Sequence, residues 1–120
     1  MGNTVWVLKE GQNEDDWDHS FILREEKALD RLAKKLKVKK LSDYYDYSVL
    51  NEELDGPDTE PSYVKPVDVK KSLEALINAI KDGASDIKST SEIMDELEDC
   101  LKKVNDAEKE NCDVRLSIIP

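Results

Sequence analysis

Asp113-Val114-Arg115-Leu116-Ser117-Ile118-Ile119 is the stretch on which the fold turns. Val114, Leu116 and Ile118 alternate with Arg115 and Ser117, so one face is apolar and the other polar, the period of a strand. Near the other end of the chain, Thr4-Val5-Trp6-Val7-Leu8 is β-branched and aromatic and lies between Gly2 and Gly11. It reads as a second strand. Its unbroken apolar run from Val5 to Leu8 suggests cover on both faces. Trp6, inside the run, is expected in the core.

Helical periodicity fills the interval. Ala28, Leu29, Leu32, Ala33 and Leu36 share one face of a helix over about 24–37, with lysines crowding its end where cations suit the helix dipole. His19 to Leu23 reads either as a backward extension of that helix or as a short strand. Leu41-Ser42-Asp43 opens a short turn through Tyr44 and Tyr45. Pro66 starts a second helix with the stripe Val69, Leu73, Leu76, Ile77 and Ile80, and Gly83 caps it. Ser89-Thr90-Ser91-Glu92 fits a capping box and opens a third helix, striped by Ile93, Leu97, Cys100, Leu101 and Val104 and ending near Asn111. Two strands far apart in sequence with amphipathic helices between them have one economical arrangement. The expectation is a single α+β domain over 1–120: a small sheet of the N- and C-terminal strands packed against three amphipathic helices.

Composition agrees with a folded domain. Val, Ile, Leu and Phe make up 30 of the 120 residues, above the roughly 20% typical of disordered chains. No apolar run approaches the ~20 residues that span a bilayer. The short run Val5 to Leu8 has no basic segment before it, unlike a signal peptide, so a cytoplasmic protein is expected. The net charge of −10 repels phosphate backbones and anionic lipid, which argues against nucleic-acid and membrane partners. It favours salt-sensitive encounter with a basic protein. Cys100 and Cys112 form no C-x-x-C pair, and with a single His they make no zinc pattern. Cys100 sits on an apolar helix face and reads as core.

Motifs for catalysis are sparse. Glu14, Asp15, Asp16 and Asp18 crowd around Trp17 and the one His, His19. Hard cations take such oxygen ligands, but the spacing is not that of an EF-hand, and a solvated acidic turn is the plainer reading. Ser20 beside His19 is no nucleophile pair, because catalytic partners must meet in space. Four glycines, at 2, 11, 56 and 83, build no familiar phosphate loop. The lysines at 34–40 read as a solvated helix end. No cofactor is expected.

Residues 41–64 are more informative. They contain no Lys or Arg, seven carboxylates, and Tyr44, Tyr45, Tyr47 and Tyr63. Tyrosine offers large contact area at low entropic cost. Tyrosines among uncompensated acids therefore suit docking to a basic protein surface, although Tyr44 or Tyr45 could equally pack into the core. Trp17, between two acids, is a further contact candidate. The expected binding residues are Trp17, Asp43, Tyr44, Asp46, Tyr47, Glu52 and Glu53.

Leu29-Asp30-x-Leu32-Ala33-x-x-Leu36-x-Val38-x-x-Leu41-Ser42-Asp43-Tyr44 resembles an LD-x-LA-x-x-LGV-x-x-L-x-x-F stretch in small uncharacterised bacterial proteins, with Lys37 standing at that pattern's glycine. Tyr63-x-x-Pro66, then Met94-x-x-Leu97-x-x-Cys100-Leu101-x-x-Val104 running into Val114-Arg115-Leu116, is similar to the rest of the pattern. The resemblance implies no activity and transfers no catalytic residue. Size, charge and architecture bear a broader likeness to acidic bacterial immunity proteins, the inhibitors of cognate toxins. The expected function is thus a non-enzymatic acidic protein-binding domain of immunity type, with a basic toxin as partner. The alternatives are a small hydrolase or metal-dependent enzyme using the Glu14 to His19 loop, and an orphan structural or regulatory protein.

Overall fold

In the computed structural model, residues 3–11, 16, 18–49, 62–83, 87 and 90–120 are described. Strand β1 (Thr4–Lys9) is followed by α1 (Ser20–Arg24), α2 (Glu26–Leu36), a 3-10 turn (Leu41–Tyr44) and the two-residue strand β2 (Tyr45–Asp46). Then come α3 (Pro66–Lys81), α4 (Thr90–Lys109) and β3 (Val114–Ile119). The class is α+β. Among the described residues, no helix is long and apolar enough to cross a membrane.

The sheet has the order β1-β3-β2, with β3 in the middle. β1 runs antiparallel to β3, placing Val5 opposite Ile118 and Val7 opposite Leu116. β2 runs parallel to β3, with Tyr45 opposite Leu116 and Asp46 opposite Ser117. Val64 makes an isolated antiparallel bridge to Val114 through two hydrogen bonds of 2.7 and 2.9 Å. Val5, Val7, Leu116 and Ile118 are buried on one face of the sheet, as strand alternation requires. Leu8, on the other face, is buried as well, so β1 has cover on both sides. Trp6 is only half-buried and is not part of the core, against the expectation, because it lies on the face of β1 opposite Val5 and Val7.

The helices bury the stripes read from the sequence. Leu29 and Leu32 of α2, Val69, Leu73 and Leu76 of α3, and Ile93, Leu97 and Val104 of α4 belong to one contiguous core with Val114 and Leu116. Leu101, at the edge of its stripe, is half-buried. The first helix differs from the expectation. It is two segments joined at Glu25 (φ −99°, ψ 20°), and 19–23 carries helix rather than strand.

Three helix ends close through a residue at positive φ. Lys37 (φ 60°) lets its own N–H reach the Lys34 carbonyl and the Val38 N–H reach the Ala33 carbonyl. Asn111 (φ 56°) repeats this after α4, with Cys112 N–H on the Ala107 carbonyl. Both are Schellman closures, whose left-handed position favours glycine. Gly83 (φ 74°) takes the corresponding place after α3.

Two predictions follow from this framework. Lys37→Gly relieves a side chain held in the left-handed region and should raise stability by about 0.5–1 kcal/mol, net of the entropy glycine adds to the unfolded chain. Its denaturant midpoint should rise with an unchanged slope. Burial also raises the pKa of Tyr45 well above its ordinary value of 10.0. The unfolded chain therefore loses this proton before the folded one does, and stability falls as pH climbs above about 10. Tyr45→Phe should flatten the alkaline decline in urea-unfolding free energy by up to about 1.4 kcal/mol per pH unit.

Candidate functional site

β1 is an edge strand, and an edge leaves backbone groups without partners. Glu10 N–H donates to the Asp113 carbonyl, which places the even-numbered residues of β1 in the pairs bonded to β3. Val5 and Val7 therefore turn their backbone groups toward the free edge. Two side chains from the acidic turn meet them there. Val7 N–H donates to Asp16 Oδ2 at 2.8 Å, and the His19 ring donates from Nδ1 to the Val5 carbonyl at 2.7 Å. The His19 backbone N–H adds a bond of 2.7 Å to Thr4 Oγ1. What reads as a solvated acidic turn is thus, at Asp16 and His19, a side-chain cover for the sheet edge.

Helix α4 completes the group. His19 Nε2 lies 2.7 Å from Asp99 Oδ2. Lys103, one turn beyond Asp99, places its ammonium against Asp16 and 3.1 Å from Asp99 Oδ2. The side chains of His19 and Asp16 are 1% and 3% exposed, those of Asp99 and Lys103 29% and 25%. The four form a closed charge group that ties β1, the segment before α1, and α4 together. Burial lowers the Lys103 pKa.

Beside this group lies a recess of about 200 Å³ lined by Asp18, His19, Asp95, Glu96 and Asp99. Asp18 and Asp95 are exposed. Glu96 accepts the N–H groups of Ile22 (3.0 Å) and Phe21 (3.4 Å), the first turn of α1. Burial raises the Glu96 pKa, and the two N–H donors and His19 partly offset this. Four carboxylates and His19 therefore line the recess, with no Lys or Arg among the described lining residues.

The residues expected to bind from the sequence do not form one surface. Tyr44 is buried, with its hydroxyl 3.4 Å from the Asp68 carbonyl and the Lys39 ammonium over its ring. Asp46 is buried too, accepting from Ser48 N–H and Oγ and from Arg115 Nη1 at 3.3 Å. Those two serve the interior, and the carboxylate of Asp46 is matched by a cation of the chain itself. Asp43 is exposed, and Tyr47 is 44% exposed on a groove of about 330 Å³ that Arg24 and Glu26 also line. Burial raises the pKa values of Tyr47 and Glu26. Tyr63 is 39% exposed, 5.9 Å from the Arg115 guanidinium. Trp17, Glu52 and Glu53 lie outside the described residues, as do Glu14 and Asp15. Asp95, Glu96, Asp99 and Lys103 were not singled out by sequence, although Glu96, Asp99 and Lys103 fall at helical spacing along the border of the α4 apolar stripe.

No family model matches the sequence, and no curated protein or solved structure is significantly similar to the chain.

Removing Lys103 should leave Asp16 without its cation in a buried position. Lys103→Met is therefore expected to be markedly destabilising alone and much less so when combined with Asp16→Asn, whose amide oxygen still accepts from Val7. A double-mutant cycle by urea unfolding should return a coupling on the order of 1–3 kcal/mol.

Proposed function

We propose that this protein is a non-catalytic, acidic protein-binding domain whose partner is basic, with an immunity-type inhibitor of a bacterial toxin as the most specific form of the reading. The supporting observation is the recess on α4, where Asp18, Asp95 and Glu96 converge beside Asp99, itself held by Lys103, with no Lys or Arg among the described lining residues. Its volume of about 200 Å³ suits the head of one Arg or Lys side chain rather than a larger ligand. A guanidinium placed there meets carboxylates on more than one side, which favours forked, charge-assisted hydrogen bonds. The overall charge of −10 adds long-range steering toward a cationic partner. Asp43 and Tyr47, exposed elsewhere on the surface, are available as secondary contacts.

A hydrolase built on His19 draws less support. A general base needs a ring nitrogen within reach of substrate, and both nitrogens of this buried imidazole already contact protein oxygens.

Charge reversal tests the binding reading. The wild-type protein, immobilised and exposed to its native lysate at about 50 mM salt, should retain a protein of high isoelectric point and release it at about 500 mM, where screening is short-ranged. Asp18→Lys combined with Asp95→Lys should abolish retention, since both side chains are exposed and the fold tolerates the change. Retention that is indifferent to salt and to the reversal, or no retained basic protein, would defeat the proposal.

A further inference from the structure

We propose that Asp16, His19 and Asp99 form a binding site for a divalent transition-metal ion of the zinc type, and that the Lys103 ammonium is its built-in competitor. The site shares His19 and Asp99 with the recess beside it, but the inference does not rest on the partner-binding reading, because it is argued from the mutual geometry of the three side chains alone.

The three side chains bring one ligand atom each to within 4.8 Å of one another. They come from separate parts of the fold, and each is already oriented. Asp16 is held by the Val7 N–H. Asp99 is fixed on the long helix α4. His19 Nδ1 donates to the Val5 carbonyl, which directs Nε2 toward Asp99. A backbone carbonyl accepting from the second ring nitrogen is the usual support of a metal-bound histidine, because it fixes the tautomer and aims the other lone pair. One imidazole nitrogen with two carboxylate oxygens suits zinc better than the oxygen-seeking Mg²⁺ or Ca²⁺.

Charge points the same way. Asp16 and Asp99 bring two carboxylates together, and the Lys103 ammonium is the cation the chain sets between them. A divalent ion would take the place of that ammonium. It bonds to Nε2, which now stands 2.7 Å from Asp99 Oδ2, and to the two carboxylates; any proton on Nε2 leaves to solvent, and the intact Lys103 ammonium swings away from Asp16 and Asp99. The ammonium itself is buried, but it ends a flexible stem whose side chain is 25% exposed overall, so a rotamer change can carry it outward. No electron is transferred and no covalent bond of the chain is broken.

His19 is the single histidine, so its ring signals report the site directly. The full chain carrying Cys112→Ser, which removes a half-buried thiol able to take zinc by itself, is titrated with ZnCl₂ by calorimetry in two buffers of different ionisation enthalpy. Imidazole nitrogen NMR is recorded alongside. Expected are one site, net proton release on binding, and a displaced His19 Nε2 resonance. Lys103→Met should bind zinc at least about tenfold more tightly, and His19→Gln at least about tenfold more weakly. Zinc binding undiminished in His19→Gln, an affinity in Lys103→Met no higher than wild type, or equal affinity for Mg²⁺ overturns the proposal. Should His19→Gln or the destabilised Lys103→Met fail to fold, the wild-type spectrum decides, because an Nε2 resonance unmoved by excess zinc has the same force.

Discussion

The pairing of β1 with β3 is the constraint from which the rest follows. It sets Val5 opposite Ile118 and Val7 opposite Leu116, and with that it decides which backbone groups of β1 look outward. Those groups need partners, since a buried polar group left without one costs about 1–3 kcal/mol. Asp16 and His19 supply them. Burying a carboxylate and an imidazole then creates a second need, for matched charge, which Asp99 and Lys103 on α4 meet. A hydrogen-bonding problem at the sheet edge thus becomes a polar tie between the sheet and the longest helix.

The same logic acts at the other side of the sheet. β2 contributes only Tyr45 and Asp46, yet both are buried. Tyr45 lies opposite Leu116 on the face that packs against the helices, and Asp46 meets Arg115 from the neighbouring strand. Two polar clusters therefore flank the central strand, one on each side, and each employs a cation of the chain to hold a carboxylate in place.

The architecture was legible in the sequence wherever a local pattern had one structural meaning. The alternation of Val114, Leu116 and Ile118, the stripe from Val69 to Ile80 and the stripe from Ile93 to Val104 each burn one face into the chain, and the structure buries those faces. The break at Glu25 was not legible, because the apolar spacing runs on from Ile22 to Leu29. β2 was also missed, since a two-residue strand has no period of its own and exists only where β3 receives it. The site was legible in part. His19 and Asp16 stood out as a polar knot, but their partners Asp99 and Lys103 lie eighty or more residues on, and nothing local to them declares the meeting. Tyr44 was open between core and surface, and Asp46 read as surface because neighbouring acids suggested solvent. Whether such a residue turns inward depends on long-range partners, here the Asp68 carbonyl and Arg115.

The central position of β3 also carries a kinetic consequence. Both other strands hydrogen-bond to β3 and not to each other, so during synthesis neither has a sheet to join until residues 114–119 have emerged from the ribosome. Helix pairs can form earlier, because their contacts are closer along the chain, but the apolar face of Val5 and Val7 must wait uncovered. Closure of the domain is then a late, cooperative step across a long loop. The nascent chain, with the apolar face of its first strand exposed until β3 arrives, is open to aggregation in that interval.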